Sequence, residues 1–331
     1  MRNKYISCYV AAFCAGLLST ACNDFLDEVP DNRTVIDTPE AVSELLVSAY
    51  PDANCVFFTE SMSDNVTDRG NTLDPYVQPD WNRANRQAFY WEDIDMTYQD
   101  SPNYFWMASY QAIAAANHAL EAIAELEAKG VDCSAQKGEA LLCRAYNHFM
   151  LVNVFAQHYN PAFAATDMGV AYVTEPEKEV FGHYERVSVK ETYDKIRKDL
   201  EEGLPLISNK AYGDTPKYHF TREAAQAFAC RFYLYVGEWQ KAIDAADEAL
   251  GDNPTLRNWN EYIQMSTANR EKNYTSVQES ANLLLASTVS QFAVDQSFYR
   301  YGYSTTVNNS LFQQNDNVVN GVWAYRAEAY N

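Results

Sequence analysis

The stretch from Thr221 to Leu250 constrains this 331-residue chain more than any other. A helix-forming pattern runs through it, breaks at Gly237 and resumes. The spacing is Tyr233-x3-Gly237-x-Trp239-x2-Ala242-x6-Ala249-x4-Pro254. Small Ala242 and Ala249 let two antiparallel helices approach closely, while Tyr233 and Trp239 fill the groove between them. Gly237 supplies the tight turn. A hairpin of this kind cannot bury its apolar face alone and requires helical neighbours.

These are the spacings of a tetratricopeptide unit, and the sequence upstream offers the neighbours. Thr38 caps a short helix with Pro39 at its first position, and Val42, Leu45, Leu46 and Ala49 form its apolar face until Pro51. From Tyr104 to Lys129, residues Tyr110, Ile113, Asn117, Leu120, Ile123 and Leu126 recur at three- and four-residue steps, and Gly130 ends the run. A second long helix covers about Ser134 to Gln157, with Leu141, Ala145, Phe149 and Val152 on one face. A third starts at a capping box, Ser188 and Glu191, and carries Tyr193, Ile196, Leu200 and Leu204. Asn117, on the apolar stripe of the Tyr104–Lys129 helix, reads as a buried hydrogen-bonding residue. Trp106, Tyr233 and Trp239 read as core. The predicted fold class is mainly α, built of tetratricopeptide-like hairpins.

Residues 52–103 lack sustained periodicity. Pro75, Pro79 and Pro102 punctuate them, and Trp81, Tyr90, Trp91 and Tyr98 are interspersed. A loop-rich segment this long and this aromatic is a functional candidate. Asp64, Asn65, Asp68, Asn71 and Asp74 do not match the spacing of a calcium loop. Beyond Pro254 the pattern weakens into Tyr-, Ser- and Asn-rich loops with an apolar run at Leu283–Leu285.

The N-terminus reads as an export signal. Arg2 and Lys4 precede an apolar stretch from Tyr5 to Leu18, and Ser19, Thr20 and Ala21 lead to Cys22. A cysteine directly after Leu-Ser-Thr-Ala resembles a bacterial lipobox, in which that cysteine carries the lipid. Loss of residues 1–21 takes the formal charge from −20 to −22, because Arg2 and Lys4 leave and no acid does. So acidic a surface repels phosphate backbones, which argues against nucleic acid as a partner. It repels anionic membrane surfaces too, so attachment falls to the lipid at Cys22. Cys55, Cys133, Cys143 and Cys230 remain after processing. They show no C-x-x-C pair and no interleaved histidine, so no metal or other cofactor is expected. Cys143 and Cys230 sit within apolar helical patterns and read as small core residues.

With these residues in hand the chain resembles the SusD/RagB family of outer-membrane nutrient-binding lipoproteins. The resemblance is carried by C-N-D-F-L-D at Cys22–Asp27, Y-x-x-I-x-x-x-N at Tyr110–Asn117 and G-E-A-L-L-C-R-A-Y at Gly138–Tyr146. It continues through N-P-A at Asn160–Ala162, Y-V-T-E-P at Tyr172–Pro176, R-V-S-V-K-E-T-Y-D-K-I-R-K-D-L at Arg186–Leu200 and the hairpin above. It implies a signal peptide at 1–21, a SusD-like helical domain at 22–255, and at 256–331 the start of a C-terminal ligand-binding region that family members carry at greater length. A helix face that such a region would cover is then expected to stand exposed. The resemblance also implies a lipid-anchored, surface-facing outer-membrane protein that performs no chemistry. Its partners would be a SusC-like TonB-dependent transporter and a glycan or, in some branches, a peptide.

In the family the neighbourhood of residues 81–98 lies near the ligand face. Trp81, Tyr90, Trp91 and Tyr98 are therefore candidate ligand contacts, since sugar rings stack their C–H faces on aromatic rings. Asn82, Arg83, Asn85, Arg86, Asp93 and Asp95 could bond the hydroxyls. The same aromatics could equally anchor a long loop to the helices. Tyr301 is a second candidate: Tyr299, Tyr301 and Tyr303 alternate, so a strand would place all three on one face, as a platform or as ordinary packing. Phe312, Trp323 and Tyr325 belong to the same aromatic region. The rival class is a secreted glycosidase using two carboxylates such as Glu92 and Asp95. The sequence carries no H-E-x-x-H, G-x-S-x-G or Cys/His signature in its support.

Overall fold

Four helices begin at a hydroxyl side chain that satisfies an otherwise orphaned backbone N–H. Thr38 Oγ1 accepts from Ala41 N at 3.1 Å to open α1 (Pro39–Leu46), and Ser101 Oγ accepts from Tyr104 N at 3.0 Å to open α4 (Pro102–Ala128). Ser188 Oγ accepts from Glu191 N at 3.1 Å at the head of α6 (Val189–Gly203), while the Glu191 carboxylate meets Lys195 at 2.9 Å. Thr221 Oγ1 accepts from Ala224 N at 3.1 Å and opens α7 (Arg222–Val236). The remaining α-helices among the described residues are α2 (Val56–Ser61), α3 (Pro79–Phe89), α5 (Ser134–Phe155), α8 (Trp239–Leu250), α9 (Trp259–Gln264) and α10 (Thr267–Tyr274). This computed structural model describes residues 36–70, 79–177, 182–214, 216–252, 254, 256–286, 288–292 and 298–303. The chain divides into two compact units, Met1–Ile36 and Asp37–Asn331, and all of these helices belong to the second. Cys22, the export signal, Phe312, Trp323 and Tyr325 lie outside the described residues.

The protein is mainly α. Helices α4 and α5 pack against each other, α5 also packs against α6, and α7 pairs with α8. The predicted stripe of α4 is the buried one: Ile113, Asn117, Ile123 and Leu126 are all buried. So are Leu141, Ala145, Phe149 and Val152 on α5, and Tyr193, Ile196 and Leu200 on α6. Close approach of α5 and α6 depends on two glycines. A Cβ on Gly138 would sit 2.9 Å from the carbonyl oxygen of Gly203, and one on Gly203 would sit 2.9 Å from that of Gly138. The hairpin turns where expected. Gly237 takes a left-handed φ of 77°, and Glu238 N donates to Tyr233 O at 2.9 Å to close the turn.

Trp239 departs from its expected place in the core. Ala242 and Ala245 are the residues α8 buries, whereas Trp239 is 63 % exposed. It stands on the outer face of α8 with Ile243 and Leu250, both also exposed. With alanines at the contact the helices meet so closely that a tryptophan at the first helical position is left outside the groove.

Beneath the long helices runs a buried polar seam. Arg144 on α5 makes a two-pronged contact with Asp199 on α6, Nε to Oδ2 at 2.7 Å and Nη2 to Oδ1 at 2.8 Å. Its Nη1 donates to Asn117 Oδ1 at 3.0 Å and to Thr174 O at 3.2 Å. Asn117 in turn donates to the carbonyls of Val173 and Glu175, as its predicted role requires. Tyr172 donates to Asp199 at 2.6 Å and stacks on His148 with ring centres 3.8 Å apart. His148 accepts from Val173 N at Nε2, 3.1 Å away, and so donates from Nδ1 to Arg144 O at 2.8 Å. The irregular segment 169–175 is held to the helices by these bonds rather than by apolar burial alone.

Residues 52–103 are less loop-like than their pattern suggests. They contain α2 and the eleven-residue α3. The buried face of α3 is Ala84, Asn85, Gln87 and Ala88, with no large apolar residue to mark a period. Phe57, Phe58, Ala84, Ala88, Met96, Phe105 and Tyr299 form one core cluster, which ties this region to α4. Cys143 is buried as expected, Cys230 is half-buried, and Cys55, Cys133, Cys143 and Cys230 are all free thiols.

Candidate functional site

Helix α3 has two faces of different chemistry. Ala84 and Ala88 enter the core cluster. Pro79, Asn82, Arg83 and Arg86 recur at three- and four-residue steps on another face and line a pocket. Fully buried Asn85 fixes what lies opposite. Its Nδ2 donates to Tyr301 O at 2.8 Å and its Oδ1 accepts from Tyr301 N at 3.2 Å. One amide side chain thus pairs with the backbone of Tyr301 as a neighbouring strand would. The two-residue strand β2 (Tyr301–Gly302) pairs on its other edge with β1 (Thr67–Asp68), antiparallel.

The pocket between these elements is open, about 430 Å³, and lined by Gly70, Pro79, Asn82, Arg83, Arg86, Arg300 and Tyr301. Each arginine is held by carboxylates. Arg83 donates to Asp80 at 2.7 Å and to Asp95 at 2.9 Å. Arg86 meets Glu92 at 2.7 and 3.0 Å. Arg300 makes a two-pronged contact with Asp68, both bonds 2.7 Å. The Arg300 hydrogen bonds, joined by Gly70 N–H, hold the Asp68 carboxyl down at about 2. Asp80 is likewise held low, first by the Tyr98 hydroxyl and then by Arg83. Burial and the neighbouring Tyr90 hydroxyl push Tyr301 up to about 12, so the phenol stays protonated.

The five predicted aromatics separate into three groups. Tyr301 is buried, stacks on Phe89 with ring centres 4.5 Å apart and meets Tyr90 edge-on at 5.5 Å. Tyr90 is half-exposed beside the pocket wall that Tyr301 forms. Trp81 and Tyr98 form a second pair, edge-to-face at 5.1 Å. Trp81 packs against the core cluster and donates to Asp100 at 3.3 Å, and Tyr98 donates to Asp80. That is the geometry of a loop anchor. Trp91 is 74 % exposed, does not line the pocket and sits at a left-handed φ of 56°. The alternating tyrosines do not form one open platform: Tyr299 is fully buried in the core cluster, and Tyr303 bonds Glu60.

Of the polar residues expected to bond a ligand, Asn82, Arg83 and Arg86 line the pocket, whereas Asn85 lies beneath it. Arg300 and Gly70 gave no sequence signal as a pair with α3, because only the β1–β2 pairing brings them there. Glu92 and Asp95, the candidate acid and base, are each engaged by an arginine of α3. Arg83 holds the Asp95 carboxyl below its usual range, which opposes a proton-donor role. Among the described residues no group of His, Cys, Asp and Glu could hold a metal ion, and no helix is long and apolar enough to cross a membrane.

Comparison with known proteins gives a consistent picture. No curated protein matches significantly. Solved structures do. A SusD superfamily protein from Bacteroides fragilis has a TM-score of 0.55 at 18% identity, covering 70% of this chain and 53% of its own. A putative sugar-binding protein from Bacteroides vulgatus has a TM-score of 0.54 at 22% identity, covering 70% and 51%. A laminarin-binding SusD-like protein has a TM-score of 0.52 at 20% identity, covering 74% and 50%. The chain therefore spans about half the length of the solved proteins it matches. The SusD-like family, described as "Starch-binding associating with outer membrane", matches residues 24–234. That match takes in α1 through nearly all of α7 and with it most of the pocket wall, and it is long enough to establish that the chain belongs to the SusD-like family.

Proposed function

We propose that this protein is a lipid-anchored, non-catalytic binding protein of the outer-membrane surface. It takes up a glycan and passes it to a SusC-like TonB-dependent transporter. The observation that carries the reading is the open pocket between α3 and β2. It brings guanidinium donors at Arg83, Arg86 and Arg300 to a wall that includes Tyr301, with the half-exposed ring of Tyr90 beside it, a pairing that suits sugar rings and their hydroxyls. Family membership supports it, as does a structural relative whose printed name is laminarin-binding. The engagement of Glu92 and Asp95 by arginines weighs against glycoside hydrolysis.

Affinity electrophoresis in gels cast with laminarin, starch, xylan or pectin tests binding. Retarded migration with no release of reducing ends is expected in at least one. Tyr90→Ala, a change at a half-exposed ring, should weaken that retardation about three- to ten-fold, the worth of one aromatic contact. Release of reducing sugars, or unretarded migration in every gel, would overturn the proposal. The anchor has its own test. Cys22→Ala should leave the protein in the soluble fraction or unprocessed, and labelled fatty acid incorporated into that variant would exclude Cys22 as the lipid site.

A further inference from the structure

The lining of the pocket is at odds with the acidity of the chain, although carboxylates just behind it pair with its cations. The whole chain carries 45 acidic and 25 basic residues, yet every charged residue lining the pocket is an arginine. The four carboxylates that hold these arginines, Asp68, Asp80, Glu92 and Asp95, do not line it. They act as positioning groups. A guanidinium has five N–H donors in a rigid fork. Arg86 and Arg300 each give two donors to one carboxylate, and Arg83 gives one donor to each of two, which leaves three apiece and fixes their plane. Arginines held in this way are pre-organised, so little rotamer freedom is lost when they bond a ligand. The excess negative charge elsewhere disfavours anions over the rest of the surface.

We propose that the pocket selects glycans bearing an anionic group, a uronic acid carboxylate or a sulfate ester, seated against Arg83, Arg86 and Arg300 with its ring toward Tyr301 and Tyr90. This rests on the glycan-binding reading above and narrows it. A neutral sugar would offer only hydroxyls to three forks whose geometry matches a planar or tetrahedral oxyanion. Asn82 offers an amide on the same wall for a hydroxyl.

Titration calorimetry on the full chain in detergent tests the inference with paired ligands that differ only in charge. The carboxylate arm compares a galacturonate oligosaccharide with its methyl ester. The sulfate arm compares a sulfated galactan oligosaccharide free of uronic acid with its desulfated, neutral form. A neutral laminarin oligosaccharide and an oligoglutamate peptide complete the set. The acid form in at least one arm should bind about ten-fold or more tightly than its neutral counterpart, the worth of one charge-assisted hydrogen bond. Arg83→Gln and Arg86→Gln should each erase most of that difference while leaving the helical circular dichroism unchanged. The paired ligands give the answer on the unaltered protein even if a variant fails to fold. Equal binding of charged and neutral forms overturns the inference and leaves glycan binding standing. Tighter binding of laminarin than of any acidic sugar does the same. Binding of oligoglutamate alone, or of no ligand, overturns both readings.

Discussion

Asp199→Ala is expected to destabilise the protein by about 3–5 kcal/mol, the cost of stranding a buried charge. Arg144 and Asp199 expose only 10% and 6% of their side chains, so water cannot replace a lost partner. Removing the carboxylate also takes the acceptor from Tyr172 and leaves Arg144 bonded only to Asn117 and Thr174. Arg144→Ala should cost a similar amount, and it would free Asn117 Oδ1 and Thr174 O as well. The double variant Arg144→Met, Asp199→Leu should cost less than either single change, because no charge then remains to be desolvated. Denaturant unfolding followed by circular dichroism measures all three. A loss below about 1 kcal/mol for Asp199→Ala would place this pair with weak surface ion pairs and refute its structural role.

The second large effect depends on pH. His148 is fully buried, and desolvation, with the nearby Arg144 charge a smaller contribution, lowers its pKa to about 3. The hydrogen bond to the Arg144 carbonyl works the other way, favouring a protonated ring, but burial outweighs it. Nε2 accepts from Val173 N–H, so a proton there would set two donors face to face. In the unfolded chain the ring titrates near its ordinary value, about 6.5. Between about 6.5 and 3 the unfolded state therefore holds a proton that the folded state does not, and stability rises with pH across that window. It is fully present above about 6.5 and falls as the solution is acidified, with a slope approaching 1.4 kcal/mol per pH unit, roughly the value for one proton. The ring resonances of His148 should not titrate between pH 7 and 5 in the folded protein, and unfolding at pH 5 should need less denaturant than at pH 7. A ring that titrates near 6.5 would refute the assignment.

The helical body was legible because its signals are local. Capping hydroxyls, the 3.6-residue stripes of α4 to α6 and Gly237 all act within one or two turns. Two helix starts were misplaced for one cause. Pro79 and Pro102 read as loop markers, yet each begins a helix, where a missing N–H costs nothing. Motifs and site differ in the same way. Asn117, Arg144, Tyr172 and Asp199 belong to four separate motifs that carry the family resemblance, and all four meet in the one buried seam. Those motifs describe how the fold is held, and they are silent on the ligand. The pocket has no local signature. Trp81 and Tyr301 could each be read as a platform or as packing; the first packs against the core cluster, and the second is largely buried yet forms part of the pocket wall. Periodicity cannot tell an exposed ring from a packed one when the packing partner lies far away in sequence.

That distance has a kinetic consequence. Helices α4 to α8 pair with near neighbours along the chain, and contacts of that kind form quickly. Asp68 and Arg300 are separated by 232 residues, and Asn85 and Tyr301 by 216. Closing so long a loop is entropically costly, and little rewards it until both ends have a surface on which to dock. The arginine pocket should therefore be among the last features to form as the chain folds, on a helical scaffold already in place. Recovery of ligand binding during refolding should lag behind recovery of helicity, which makes binding a stricter criterion of complete folding than circular dichroism.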